Sequence, residues 1–233
     1  SNEKVYHASD FGIIPNTGED MTQEIVKAIE TIKSERAGEP AVLLFEAGEY
    51  DFYPDSANVR EYYVSNHDQD NPKRVAVVLE GVKNLTLKGA QKSNGSDYAN
   101  FMMNGRMLPI AMVDCENCTL DFIGIDTRSP QITQVEVLEN DTENGYITYR
   151  IAPYANYRID DGNLVTYGSN WELVPQAGIA FDGETRHLVY CTSDIWVGVR
   201  GVEEIEPRVI RAPWRDARLV PGTVVAMRSY ARP

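Results

Sequence analysis

The sequence predicts an all-β chain in two architectures: a coiled stack of parallel strands closed at its start by a helix, then a set of antiparallel hairpins. Three observations carry this. Residues 78–87 and 111–120 echo each other at a spacing of 33 residues. The opening segment runs from a strand-like tripeptide through a turn-rich loop to an apolar helical stripe and then a strand. From about Gln131, short alternating runs separated by tight-turn residues take over.

The opening element is Asp10-Phe11-Gly12, followed by the loop Pro15-Asn16-Thr17-Gly18. Thr22 is expected to cap a helix whose apolar positions Ile25, Ala28, Ile29 and Ile32 recur at spacings of three and four on one face. Glu19, Asp20 and Glu24 lie near its positive end, where negative charge is favoured. Gly38 and Pro40 stop it. Val42-Leu43-Leu44-Phe45 reads as a strand, and Glu46-Ala47-Gly48-Glu49-Tyr50 turns it over. A stack of strands needs such a helix, because its first level otherwise presents an unpaired edge and an open core.

The echo lays Val78-Leu79-Glu80-Gly81-Val82-Lys83-Asn84-Leu85-Thr86-Leu87 over Ala111-Met112-Val113-Asp114-Cys115-Glu116-Asn117-Cys118-Thr119-Leu120. That period suits a solenoid with loop insertions. Asn84 and Asn117 would share a corner, their amides bonding along the stack and satisfying turn backbone groups. Asp114 and Glu116 then belong to the corner itself, and Asp121 and Asp126 are read the same way. Two polar excursions, residues 53–74 and 90–106, are read as loops that wall a groove.

Later, Tyr146–Ile151, Leu164–Tyr167, His187–Tyr190 and Pro207–Arg211 alternate apolar and polar residues. Asn144-Gly145, Asp160-Asp161-Gly162 and Asp182-Gly183 supply turns between them. This is an antiparallel unit, a small barrel or sandwich, with Trp171, Trp196 and Trp214 expected in its core, the alternative being a carbohydrate-stacking platform. Pro221–Tyr230 then reads as a return to a strand of the first type. The domains are therefore 1–130, helix cap and first coils; 131–221, inserted antiparallel unit; and 222–233, return strand, where the coil is cut.

The 233 residues, 42% hydrophobic, suffice for sizeable cores. A net charge of −13 excludes nucleic acid as a partner, since phosphate binding needs a basic footprint. Neutral sugars fit this balance better than acidic polymers. No apolar run is long enough for a membrane helix. Ser1-Asn2 replaces an initiating Met and reads as a tag remnant, so a leader is expected upstream and the location is secreted, periplasmic or cell-surface. Cys115 and Cys118 have zinc-knuckle spacing without a second pair, and are read as packed thiols rather than metal ligands.

The order Asp-Phe-Gly, loop, helix, strand, turn is similar to the start of right-handed parallel β-helix proteins that act on polysaccharides. At Phe52-Tyr53-Pro54-Asp55, Arg60-Glu61-Tyr62-Tyr63-Val64-Ser65-Asn66-His67-Asp68 and Met107-Leu108-Pro109-Ile110 with Val113–Cys118, the chain resembles bacterial exo-α-galactosidases of glycoside hydrolase family 110. The resemblance implies a right-handed parallel β-helix start with an N-terminal capping helix and an inserted small antiparallel β-barrel. It implies removal of terminal α-1,3-linked galactose, including that of the blood-group B determinant, by inversion and without metal or organic cofactor. Inversion needs two carboxyl groups roughly 6.5–9.5 Å apart. The resemblance places them after residue 233, so no catalytic residue is assigned and the chain alone is expected to be inactive.

Substrate contacts are expected from Arg60, Glu61, His67 and Asp68 in the first excursion, with Tyr62 and Tyr63 divided between sugar stacking and anchoring, and from Arg228 in the return strand. The bland alternative for the loop is a segment tied down by its own ion pairs and Asx turns. The partners are galactose-terminated glycans, with self-association through the cut edge of the coil. Two other readings compete: a different β-helix polysaccharide hydrolase or lyase, and a non-catalytic carbohydrate-binding module.

Overall fold

The computed structural model describes residues 2–65, 70–91 and 98–229. The chain divides into one compact unit that ends at Arg128 and another that starts at Ser129. Strands dominate both.

The first unit contains β1 (Lys4–His7), α1 (Thr22–Arg36), β2 (Ala41–Phe45), β3 (Gly48–Phe52), β4 (Asn58–Arg60), β5 (Lys73–Glu80), β6 (Leu85–Gly89), β7 (Ala99–Met103), β8 (Leu108–Val113), β9 (Thr119–Asp121) and β10 (Ile123–Thr127). They form three sheets. One is wholly parallel in the order β1-β2-β6-β9, a second is wholly parallel in the order β3-β7-β10, and the third is β4-β5-β8. In the third, β5 and β8 are parallel and only β4 runs antiparallel.

The 33-residue echo is the pairing register itself. Val78 faces Ala111, Leu79 faces Met112, Thr86 faces Thr119 and Leu87 faces Leu120. At the corner between them, Asn117 Nδ2 donates to Asn84 Oδ1 at 2.7 Å, and Asn84 Nδ2 donates to the Gly38 carbonyl at 2.7 Å. Both asparagines sit in the left-handed region, with φ of 55° and 53°. Asn tolerates that conformation, and its amide pairs backbone groups that a tight corner leaves open.

Helix α1 buries the predicted stripe, Ile25, Ala28, Ile29 and Ile32. Its cap corrects the expectation. Met21, not Thr22, occupies the N-cap position, and the Asp20 carboxylate two residues back from Thr22 accepts the Thr22 amide at 2.8 Å. The other Asp20 oxygen accepts the Tyr53 amide at 2.7 Å, tying the helix start to the end of β3. The Thr22 hydroxyl is buried without a partner among the described residues. The helix therefore starts at Thr22 itself, one residue earlier than a Thr22 cap implies, and the Asp20 side chain reaches the free amide. The turn at residues 46–50 is also shorter than expected. Glu46 and Ala47 make it alone, and Gly48 already opens β3.

The core of this unit is a column of inward side chains. Phe101 is fully buried, with ring centroids 5.2 Å from Phe45, 5.3 Å from Phe52 and 5.9 Å from Tyr50. These rings come from β2, β3 and β7, so aromatic contact joins two sheets across the interior. Gly89 ends β6 where a Cβ would lie 2.0 Å from the Phe122 carbonyl oxygen, so only glycine allows that close passage.

The second unit contains β11 (Thr133–Asp141), β12 (Tyr146–Ile151), β13 (Asn156–Asp160), β14 (Asn163–Tyr167), β15 (Glu172–Leu173), β16 (Ala177–Phe181), β17 (Glu203–Glu206), β18 (Val209–Pro213) and β19 (Val224–Arg228). Six strands form an antiparallel sheet, β16-β19-β11-β12-β18-β17, and three form β13-β14-β15. The Asp161–Gly162 pair, both at positive φ, closes the β13/β14 hairpin. The His187–Tyr190 run forms no strand, only a single bridge between Leu188 and Phe181.

The return strand is corrected as well. Residues 224–228 form β19, which lies between β11 and β16 inside this antiparallel sheet, with Met227 opposite Thr133 and Gly178. Val225 and Met227 are fully buried in the second core. An apolar run flanked by turns looks alike in a central antiparallel strand and in a parallel coil, because periodicity reports burial and not the partner.

Candidate functional site

In the first unit, the two excursions read at 53–74 and 90–106 are corrected. β4 lies inside the first and the buried strand β7 inside the second, because short strands among polar residues carry little local pattern. In the first, the connection leaves β4 at Arg60 and returns at β5. Its base is fixed by one carboxylate. Arg60 Nε donates to Glu80 Oε1 at 2.9 Å, the Tyr62 hydroxyl donates to the same oxygen at 2.5 Å, and Lys33 Nζ donates to the Glu80 carbonyl at 2.8 Å. The Tyr62 hydrogen bond, followed by the Arg60 guanidinium, holds the Glu80 carboxyl below its ordinary range, against the opposing effect of burial. Burial first, and then the Glu80 carboxylate, push the Tyr62 phenol up to about 12. The Asn71 side chain clamps the strand edge, accepting from the Tyr62 amide at 3.1 Å and donating to the Tyr62 carbonyl at 3.2 Å. Asp70 takes Arg106 at 3.1 Å and the Lys73 ammonium on its carbonyl at 3.1 Å.

Arg60 is thus committed to Glu80 and to the Val59 carbonyl. Glu61 and Tyr63 are exposed. His67 and Asp68 lie outside the described residues. The small recess beside this cluster, about 100 Å³, is lined by Val26, Lys33, Asn58, Arg60 and Glu80 among others. Of the two tyrosines, Tyr62 is the anchor.

A second polar cluster had no signal in the sequence. Asp51, only 4% exposed at its side chain, accepts Arg128 Nη2 at 3.0 Å and Asn104 Nδ2 at 2.9 Å, and Arg128 also takes Glu49 at 2.7 Å. These residues stand at the ends of β3, β7 and β10. The ladder brings residues far apart in sequence to one level, which is why no local spacing announces them. Arg128 is held above its ordinary range by Glu49 and then Asp51. The cluster is a staple in which one guanidinium bridges two carboxylates.

Cys115 and Cys118 project toward the level above, their thiols donating to the Leu79 and Val82 carbonyls at 3.2 and 3.3 Å. Burial pushes the Cys118 thiol up, away from the thiolate that metal binding or redox chemistry needs. Glu116 pairs with Lys83 at 3.2 Å at the corner, and Asp114 is exposed beside it.

In the second unit, Arg228 at the end of β19 bonds Asp194 at 3.0 Å. Trp214 is 6% exposed and packs edge-on against Tyr149 at 6.0 Å, as expected for a core residue. Trp196 departs from that expectation, being 86% exposed on a strandless segment. Around it runs a cleft of about 510 Å³, lined by Asp194, Trp196, Trp214, Arg215, Asp216 and Arg218 among others. Arg218 grips Asp216 with two donors, at 2.6 and 2.8 Å, and its third nitrogen reaches the Cys191 carbonyl.

Comparison with known proteins bears directly on both units. Residues 133–225 match the family described as GLAA-B beta-barrel domain I. Over its full length the chain is 48% identical to a protein named Alpha-1,3-galactosidase B from Parabacteroides distasonis and covers 37% of that protein. It is also 48% identical to proteins of the same name from Phocaeicola vulgatus and Bacteroides fragilis, 38% of each being covered. The chain therefore spans little more than a third of the length of these relatives and is the counterpart of their N-terminal part.

Proposed function

We propose that this chain is the leading part of a glycoside hydrolase that removes terminal α-1,3-linked galactose with inversion, and that by itself it builds scaffold and rim without the catalytic pair. The observation that carries the reading is 48% identity over the whole chain to proteins of that name. Its ladders fit the role. The parallel pairings of these sheets, broken only by antiparallel β4, fit the first coils of a right-handed parallel β-helix, and the outermost strands β8, β9 and β10 each offer an edge for a further coil. Exposed Met112, Leu120 and Ile125 lie on those strands, which suits a surface that a following coil covers.

The galactose-terminated glycan is the substrate of the longer protein, and export follows from a glycan encountered outside the cell. The experiment compares galactose release from α-1,3-galactobiose by this chain and by the full-length protein. Release by the full-length protein only is expected; release by the 233-residue chain overturns the assignment.

A further inference from the structure

We infer that the cleft around Trp196 in the second unit is a saccharide-binding subsite, taking one neutral pyranose ring of a glycan. An indole is among the costliest side chains to leave in water, and Trp196 is left 86% exposed. It is not an isolated surface ring, because it lines a cleft of about 510 Å³, within the size range of small-ligand sites.

The polar groups of the cleft divide cleanly. Asp216 and Arg218 neutralise each other through two hydrogen bonds, and Arg218 holds the Asp216 carboxyl below its usual range. Asp194 is engaged by Arg228. Arg215 is exposed and forms no ion pair or hydrogen bond with a described residue. Its guanidinium is nonetheless placed: it lies over Gly145, where a Cβ would come within 2.5 Å of the guanidinium carbon. Gly145 is at φ 78° in the β11/β12 turn, and its carbonyl accepts the Trp214 amide at 3.1 Å. Gly198 plays the matching part below, since a Cβ there would lie 2.7 Å from Trp214 Cβ. Two glycines thus let the Trp214 and Arg215 side chains pack closely on the backbone.

What remains uncommitted is one flat apolar ring and one planar donor in the same recess. That pair suits a pyranose: the indole covers the axial C–H face, and the guanidinium donates to adjacent hydroxyls. The uncompensated Arg215 leaves one positive charge in the cleft, but the −13 carried by the whole chain opposes an anionic sugar, so a neutral ring is favoured. The saccharide class rests on the galactosidase reading above; the location rests on the cleft alone.

The test titrates this chain with α-1,3-galactobiose and follows tryptophan emission and the Trp196 indole N–H resonance. Saturable binding with Kd of the order of 1 mM is expected, with W196A abolishing it and R215A weakening it about tenfold. No saturation by about 50 mM, or equal binding by W196A, overturns the subsite. Loss of self-association in W196A, with no sugar response in the parent chain, makes the face a protein interface and overturns it too. Full-length galactosidase activity is measured alongside. If that activity is absent while W196-dependent binding persists, the catalytic reading fails and the subsite stands.

Discussion

Replacing Asn84 removes the central link of the corner stack and tests whether the parallel ladders are held by it. The side chain makes two hydrogen bonds of 2.7 Å, one to the Gly38 carbonyl and one from Asn117. Each contributes about 1 kcal/mol net. The residue sits at φ 55°, where alanine costs roughly 1 kcal/mol more than glycine. N84A should therefore destabilise the first unit by about 2–3 kcal/mol and N84G by only about 1–2 kcal/mol, because glycine keeps the backbone and loses the bonds. Native-state hydrogen exchange of the β2 and β6 amides reads this directly. The Ala41 amide, bonded to the Asn84 carbonyl, should exchange roughly 30- to 160-fold faster in N84A. The three tryptophans, Trp171, Trp196 and Trp214, all lie in the second unit, so unfolding followed by their fluorescence is an internal control that should not move. Equal stability of N84A and the parent chain, or equal losses for N84A and N84G, refutes the reasoning.

Other perturbations probe other parts. The raised Tyr62 phenol favours its protonated form in the folded state, so its contribution is complete below the unfolded value of 10.0 and lost as pH rises through about 12. Burial also raises other phenols, Tyr50 and Tyr149 among them, so the Tyr62 step is read by difference: Y62F should remove one late-ionising phenol from the absorbance titration. The lowered Glu80 carboxyl works in the opposite direction: its contribution is present above the unfolded carboxylate value and lost as pH falls through the folded one, and E80Q should flatten that acid limb in urea titrations. W214A should cost about 3–5 kcal/mol, since it empties a packed site against Tyr149, whereas W196A should stay within about 0.5 kcal/mol. The free edges of β8, β9 and β10 should give concentration-dependent self-association in sedimentation velocity, reduced by M112K; a strictly monomeric parent chain contradicts that.

Local periodicity made much of the first unit legible. The stripe Ile25, Ala28, Ile29 and Ile32 is buried as spaced, and the echo at 33 residues became a hydrogen-bonded register. Where a signal depends on a partner distant in sequence, the chain was silent. Arg128, Glu49, Asp51 and Asn104 meet only because three strands align their ends. The β19 run carried burial but no information about pairing, so it was read into the wrong sheet. Asp20 took the cap from Thr22 because cap position turns on a single residue of backbone conformation, which composition does not resolve. Trp196 illustrates the remaining limit: an aromatic residue among turn formers has the same letter whether it faces the core or the solvent.

The parallel ladders stay in step although the chain between their rungs varies in length. Ala41 faces Leu85, Gly48 faces Ala99, and Ala99 faces Ile123. The rungs act as fixed bolt holes, and slack is taken up outside them. Deletions or additions within residues 61–72, or between β6 and β7, can therefore resize the rim without re-indexing any inward-pointing side chain. A family built on such a frame can change what its edge grips while leaving its interior untouched.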